Sequence, residues 1–177
     1  MAARAREAAR AIGAREKALP EASATSRARN DSLFDLLISD PDITSATRSL
    51  FVDGHYARAV EEAFKCLNNG VRRRSGITDK DGSDLMFHAF DPRLPVLRIN
   101  RLNSVSEIDE QAGYRQILAG CMKGLRNPRA HEHQLQDNPN SALELLVLAN
   151  HLMSVLKRSK KVRMSPIRIA KASERPG

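Results

Sequence analysis

"DGHYARAVEEAFKCLNNGVRRRSG", residues 53–76, decides the fold. Tyr56, Ala59, Val60, Ala63, Phe64, Leu67 and Val71 recur at steps of three and four, the spacing that gathers apolar side chains on one face of an α-helix. Arg58, Glu61, Glu62, Lys65, Asn68 and Arg72 fill the other side. Gly76 suits the helix end, where a left-handed residue without a Cβ closes the last turn. The stretch predicts one long helix with one buried face, so the rest of the chain must supply its packing partners.

Those partners read as further helices. Upstream, a short apolar turn after residue 31 leads to Asp40 as N-cap and Pro41 as the first residue of a helix through Phe51. Downstream, Asp81-Gly82 is a turn before a short helix from Ser83 to Phe90. "DPRLPVLRINRL", residues 91–102, carries two prolines and reads as an ordered loop or one short strand. A third major helix starts near Ser106, with Asp109 completing an approximate capping box. Its expected core stripe is Ile108, Ala112, Ile117, Leu118, Cys121, Met122 and Leu125, with Gly120 and Gly124 permitting close helix approach. The last helix runs from about Ser141 to Arg158 and opens on Ser141 and Glu144 as a second capping box. It is apolar on more than one side, so it is either central or part of a dimer contact. The expected fold class is all-α, with about four principal helices.

Composition agrees. Alanine and leucine supply much of the apolar content and there is no Trp, which favours packed helices over a sheet sandwich. No apolar run approaches the length of a bilayer span. Residues 1–30 have no apolar central block, so no secretory signal is expected. They are Arg- and Ala-rich like a transit peptide, but Glu7, Glu16 and Glu21 argue against one. Cys66 and Cys121 both fall on apolar helix stripes and read as buried thiols in a reducing cytoplasm. The net charge of +8 is unevenly placed: residues 1–30 carry +4, residues 157–177 carry +7, and the middle carries −3. We therefore divide the chain into a basic N-terminal extension (1–30), a helical domain (31–158) and a basic tail (159–177). Basic ends hold polyanions with salt-sensitive affinity. Lys157, Arg158, Lys160, Lys161 and Arg163 are the cations expected to touch RNA, with a merely solvated tail as the alternative.

Chemistry is expected in "GLRNPRAHEH", residues 124–133. The bare pattern of an arginine followed by a histidine after four to six intervening residues carries little weight. Chance gives roughly two such pairs in a chain this rich in arginine, and there are three: Arg126/His131, Arg126/His133 and Arg48/His55. Context adds more. Pro128 suits a first helical turn, which makes Asn127 an N-cap and leaves Arg126 just outside the helix. A break there would let Arg126 and His131 converge, whereas on an unbroken helix they point roughly 140° apart. Free N–H groups of a first turn attract phosphate and disfavour a charged imidazolium. A neutral imidazole can take a proton from a ribose 2′-OH, and an arginine fork can hold the phosphate.

"GHYARAVEEAFKCLNNGVRRRSG", "DGSDLMFHAF" and "GLRNPRAHE", in this order and spacing, resemble the bacterial Ymh family, grouped with the HEPN superfamily. The resemblance covers about residues 35–158. It implies a HEPN-like bundle of four to five helices, here with basic flexible ends, and commonly a homodimer. Many HEPN proteins are metal-independent endoribonucleases in toxin–antitoxin or phage-defence systems. Their motif, carried over, gives Arg126, Asn127 and His131. Some also use an acidic residue on an early helix, for which Glu62, or else Glu61, is the candidate. The resemblance implies no cofactor, RNA as substrate, and an antitoxin or defence-system partner.

The competing readings are bland ones. Arg126 and His131 can be a basic helix cap, and Asn127 can cap without chemistry. "HEH" does not make a metal site, because ligands two apart do not share a helix face. His55, His88 and His151 read as ordinary helix positions. Low aromatic content argues against recognition by base stacking, and no helix-turn-helix signal supports a DNA-binding regulator. What stands against the nuclease is a non-catalytic HEPN-like RNA-binding or protein-interaction module.

Overall fold

The computed structural model describes residues 25–131 and 137–162. The chain is mostly helical. Helix α1 covers residues 25–37, so the apolar turn expected after residue 31 belongs to a longer helix that crosses the boundary drawn there. Phe34 and, just past the helix, Ile38 explain this: both are buried in the core and hold the segment down. Helix α2 spans Pro41–Val52, and the Asp40 carboxylate accepts from the Asp42 and Ile43 N–H groups, as its sequence predicts. Helix α3, Tyr56–Ser75, is the long helix of the opening stretch and stops at Gly76, whose φ of 80° is the left-handed cap.

Helix α3 organises the core. Its predicted stripe (Ala59, Val60, Ala63, Phe64, Leu67 and Val71) is buried against α2 and the last helix. Gly70 marks a close approach of α3 to the last helix: a Cβ there would come within 2.9 Å of Leu156 Cδ2. Phe34, Phe51 and Tyr56 follow one another at one end, with neighbouring ring centroids 5.2 Å apart, the first contact tilted and the second edge-on.

The short α4, Gly82–Ala89, packs on α5, Val105–Cys121. Between them a loop holds β1, Leu97–Arg98, which pairs antiparallel with β2, Lys160–Lys161. The loop is fastened by one buried amide. Gln111 accepts from the Ile99 N–H and donates to the carbonyls of Phe90 and Leu97. This explains why the stripe expected on α5 is displaced. The helix turns Gln111 inward and leaves Ile108 and Ile117 exposed. Its start is also earlier than expected, with Ser104 as N-cap accepting from Glu107 N. Gly120 and Gly124 do not mediate close approach, since a Cβ at either would meet nothing within 4 Å.

The last helix, α7, spans Pro139–Arg158 and begins two residues before Ser141, capped by Asn138, whose side chain accepts from Ser141 N. Ala142, Leu146, Ala149, Leu152, Met153 and Leu156 are all buried, which makes α7 a central helix, while Leu145, Val147 and Leu148 stay half-buried on its other side. Burial pushes the Cys121 thiol up to about 11, and burial with the charge of Asp42 pushes Cys66 upward too. No helix among the described residues is long and apolar enough to cross a membrane.

Candidate active site

The arm that follows α5 differs from its expected form. Asn127 has φ −62° and ψ −44°, a helical conformation, and its N–H donates to Met122 O, five residues back. Met122–Arg126 is thus a π-helical segment that leads without interruption into α6, Asn127–His131. The break at Asn127-Pro128 is absent, and Asn127 is not an N-cap. Proline removes one helical N–H and its ring crowds the carbonyl four residues back. A single widened turn relieves that crowding while the helix continues. The free first-turn N–H groups inferred from the break are absent with it.

The consequences fall on the two named side chains. Arg126 is largely covered, at 21% side-chain exposure, and points to Asp81 with Nη1 3.2 Å from Oδ2. Asn127 and His131 are exposed. From Arg126 to His131 the chain is helical, so the five-residue step separates their directions by roughly 140°. The structure does not bring them together within one protomer. His133 lies outside the described residues.

Arg126 belongs instead to a cluster that sequence reasoning missed. Asp81, in the turn before α4, accepts from Arg126, from Arg72 Nη2 at 2.6 Å and from Asn68 Nδ2 at 2.7 Å. Asn68 returns a bond through its Oδ1 to the Gly82 N–H, which fixes the turn. Partial burial works to raise the Asp81 pKa. The Asn68 hydrogen bond, the charge and hydrogen bond of Arg126 and the charge of Arg72 outweigh it and hold the carboxyl below its ordinary value. Two guanidiniums share this one carboxylate, so the cluster carries a surplus positive charge. The Nε atoms of Arg72 and Arg126 are buried without a hydrogen-bond partner among the described residues. A signal was present in the sequence: Asn68 and Arg72 sit one turn apart on the polar side of α3, a helical pair in need of an acceptor.

Three residues along, Arg129 is matched one to one. Its Nε and Nη2 form a fork on Asp137 at 2.6 and 2.8 Å, and its Nη1 donates to Leu125 O. This pair is 9% and 11% exposed and ties α6 to the start of α7.

The acids proposed from α3 face cations of their own helix. Glu62 contacts Arg58 at 2.8 Å and Lys65 at 3.0 Å, and Glu61 contacts the same two side chains. Neither bonds to Arg126. In the upstream arginine–histidine pair, Arg48 forks onto Asp35. His151 bonds the Tyr114 hydroxyl at 2.9 Å.

The basic tail residues divide. Lys157 is held by Asp40 and Asp42 at 2.8 and 2.9 Å, and its pKa is raised by those two bonds. Arg158 donates to Ser154 Oγ. Lys160 and Lys161 are exposed on β2, while Arg163 lies outside the described residues. Among the described residues no group of three or more His, Cys, Asp or Glu is placed to hold a metal ion.

Comparison with known proteins gives one match. No curated protein matches, and no solved structure matches. The model of the family described as "Protein of unknown function (Hypoth_ymh)" matches residues 38–156, from the end of α1 to the last turn of α7 and including the whole Asn68–Arg72–Asp81–Arg126 cluster. The chain therefore belongs to the Hypoth_ymh family.

Proposed function

We propose that the protein is a metal-independent endoribonuclease of the HEPN type, acting as a homodimer in a toxin or phage-defence system. The observation that carries this reading is the surplus of guanidinium charge at Asp81, on the same arm as the exposed His131. In this scheme Arg126, with Arg72 beside it, binds a phosphodiester and offsets charge that develops on its oxygens. His131 takes the proton of the adjacent ribose 2′-OH. The 2′-oxygen bonds to phosphorus, the bond to the 5′-oxygen breaks, and that oxygen leaves with a proton from a general acid. The products are a 2′,3′-cyclic phosphate and a 5′-hydroxyl. One protomer has a single His131 directed away from its Arg126, so a second copy related by a two-fold axis supplies the missing group.

The test is incubation of RNA with the purified protein and with its His131→Ala variant, followed by analysis of fragment ends. Cleavage that survives EDTA, yields cyclic or 3′-phosphate ends and vanishes in the variant is expected. Fragments with 5′-phosphates overturn the mechanism. A second reading, a non-catalytic HEPN-like module that binds RNA or an antitoxin-type partner, is favoured by the divergence of Arg126 and His131. It takes over if the variant and the parent protein leave RNA equally intact.

A further inference from the structure

At the far end of α7 from α6, the chain forms a second basic feature. The loop after β1 and the end of α7 enclose a cleft of about 430 Å³, lined by Arg98, Ile99, Asn100, Arg101, Asn103, Arg158 and Lys160. A volume of this size accepts a nucleotide-sized ligand. Four of the lining residues are cations and none is acidic. Two carboxylates stand at its edge, where they brace the lining: Glu107 accepts from the Asn103 N–H and Glu110 from Asn100 Nδ2, and the four cations outnumber them.

Many cations elsewhere are already paired, although the exposed Arg29, Arg73 and Lys123, like those here, meet no carboxylate among the described residues. Arg48, Arg58, Lys65, Arg72, Arg126, Arg129 and Lys157 all contact carboxylates. Arg98, Arg101 and Lys160 have no side-chain partner among the described residues, and Arg158 meets only the Ser154 hydroxyl. The backbone holds them together at some cost. Leu102, between Arg101 and Asn103, has φ 59°, a left-handed conformation that a leucine rarely adopts. It is fixed by the Leu102 N–H donating to Asn100 Oδ1. The β1–β2 ladder sets Arg98 directly against Lys160. Like charges opposite each other on a ladder repel. The repulsion between these cations is what a bound anion would offset, and a left-handed residue held in place beside them is the kind of local strain that clusters at binding sites.

We propose that this cleft binds phosphate groups of a nucleotide-sized ligand, either successive phosphodiesters of single-stranded RNA or the phosphates of a free nucleotide. The site is separate from Arg126 and His131 and does not depend on cleavage.

The experiment is titration of the full-length protein with two probes, inorganic pyrophosphate and a 2′-O-methyl oligouridylate. The second probe lacks the nucleophilic hydroxyl, so binding is read whether or not the protein cuts RNA. Arg98→Gln/Arg101→Gln is compared with Arg29→Gln/Arg73→Gln, which removes the same charge from exposed positions on α1 and α3. Saturable binding of at least one probe is expected, weakened tenfold or more in the first variant and less than twofold in the second. For the oligonucleotide, the slope of log affinity against log salt is expected to fall by about 1.4 in the first variant, for two lost phosphate contacts on a single strand. Binding of pyrophosphate alone assigns the cleft to free nucleotides, and binding of the oligonucleotide alone assigns it to RNA backbone. Failure of both probes to saturate, or equal weakening by the two variants, overturns the proposal.

Discussion

Arg126 and Arg129 lie one turn apart on the same arm, and each meets an aspartate. They are built for different purposes. Arg129 has a carboxylate to itself, a fork geometry, a backbone carbonyl for its remaining nitrogen and almost no exposure. Arg126 shares Asp81 with Arg72, makes a single longer bond and keeps one buried N–H unused. A fully matched pair in a covered position has no capacity left for a ligand and works as a clamp. An under-matched pair at a half-exposed carboxylate retains charge that a phosphate can use. The contrast teaches that partner stoichiometry, more than burial or residue type, separates a structural arginine from a candidate functional one.

The largest effect is expected where the clamp is broken. Arg129→Ala leaves Asp137 covered and unpaired and is expected to destabilise the fold by about 3–5 kcal/mol, read from urea denaturation. If it costs no more than a surface substitution, the two arginines are not different in kind. Arg126→Ala is expected to do the reverse. Any RNA cleavage should slow by a factor that corresponds to about 2–4 kcal/mol in the barrier, while stability changes by less than about 1 kcal/mol because Asp81 is half exposed. A large loss of stability with cleavage intact would move Arg126 into the structural class.

His131→Ala sharpens the same division. The side chain is exposed at the end of α6, so its removal is expected to change stability by no more than about 0.5 kcal/mol while abolishing cleavage. Equal cleavage by parent and variant would separate the surplus arginine charge from any nuclease role.

The smallest effect concerns pH. The folded pKa of Asp81 lies below its ordinary value. Its contribution to stability is therefore complete above that ordinary value and is lost as pH falls through the lower, folded one. Asp81→Asn is expected to remove this part of the acid sensitivity, by less than about 1 kcal/mol given its exposure. Urea midpoints of parent and variant, measured from about pH 5 downward, check the sign. Parallel curves would mean that the arginines do not depend on the charge of Asp81.

Much of the fold is legible in the sequence because it rests on apolar repetition. The spacing of the α3 stripe matches its buried face residue by residue from Ala59 to Val71, and the Asp40–Pro41 start of α2 follows from capping rules alone. Legibility fails where a polar residue occupies the core. Gln111 is buried because it satisfies three backbone groups of a loop from distant positions, and no local pattern announces that. The buried face of α5 therefore differs from its apolar spacing. Pro128 is compatible both with the end of a helix and with a π turn that carries the helix on, and the sequence does not say which. At the candidate site, Arg126 and His131 were visible as residue types and their separation was not. Asp81 reads in sequence only as a turn residue, because its arginine partners lie on two other segments, 9 and 45 residues away along the chain.

The β1–β2 ladder joins segments more than sixty residues apart through only two residues on each side, extended by Val162 N–H to Val96 O. A ribbon this short has little stability of its own, and it is the kind of unit that opens while the rest of a domain stays folded. An opening there would part Lys160 from Arg98 while leaving the α3–α7 core in place, so an anion bound between those two cations would also fasten β2 to β1.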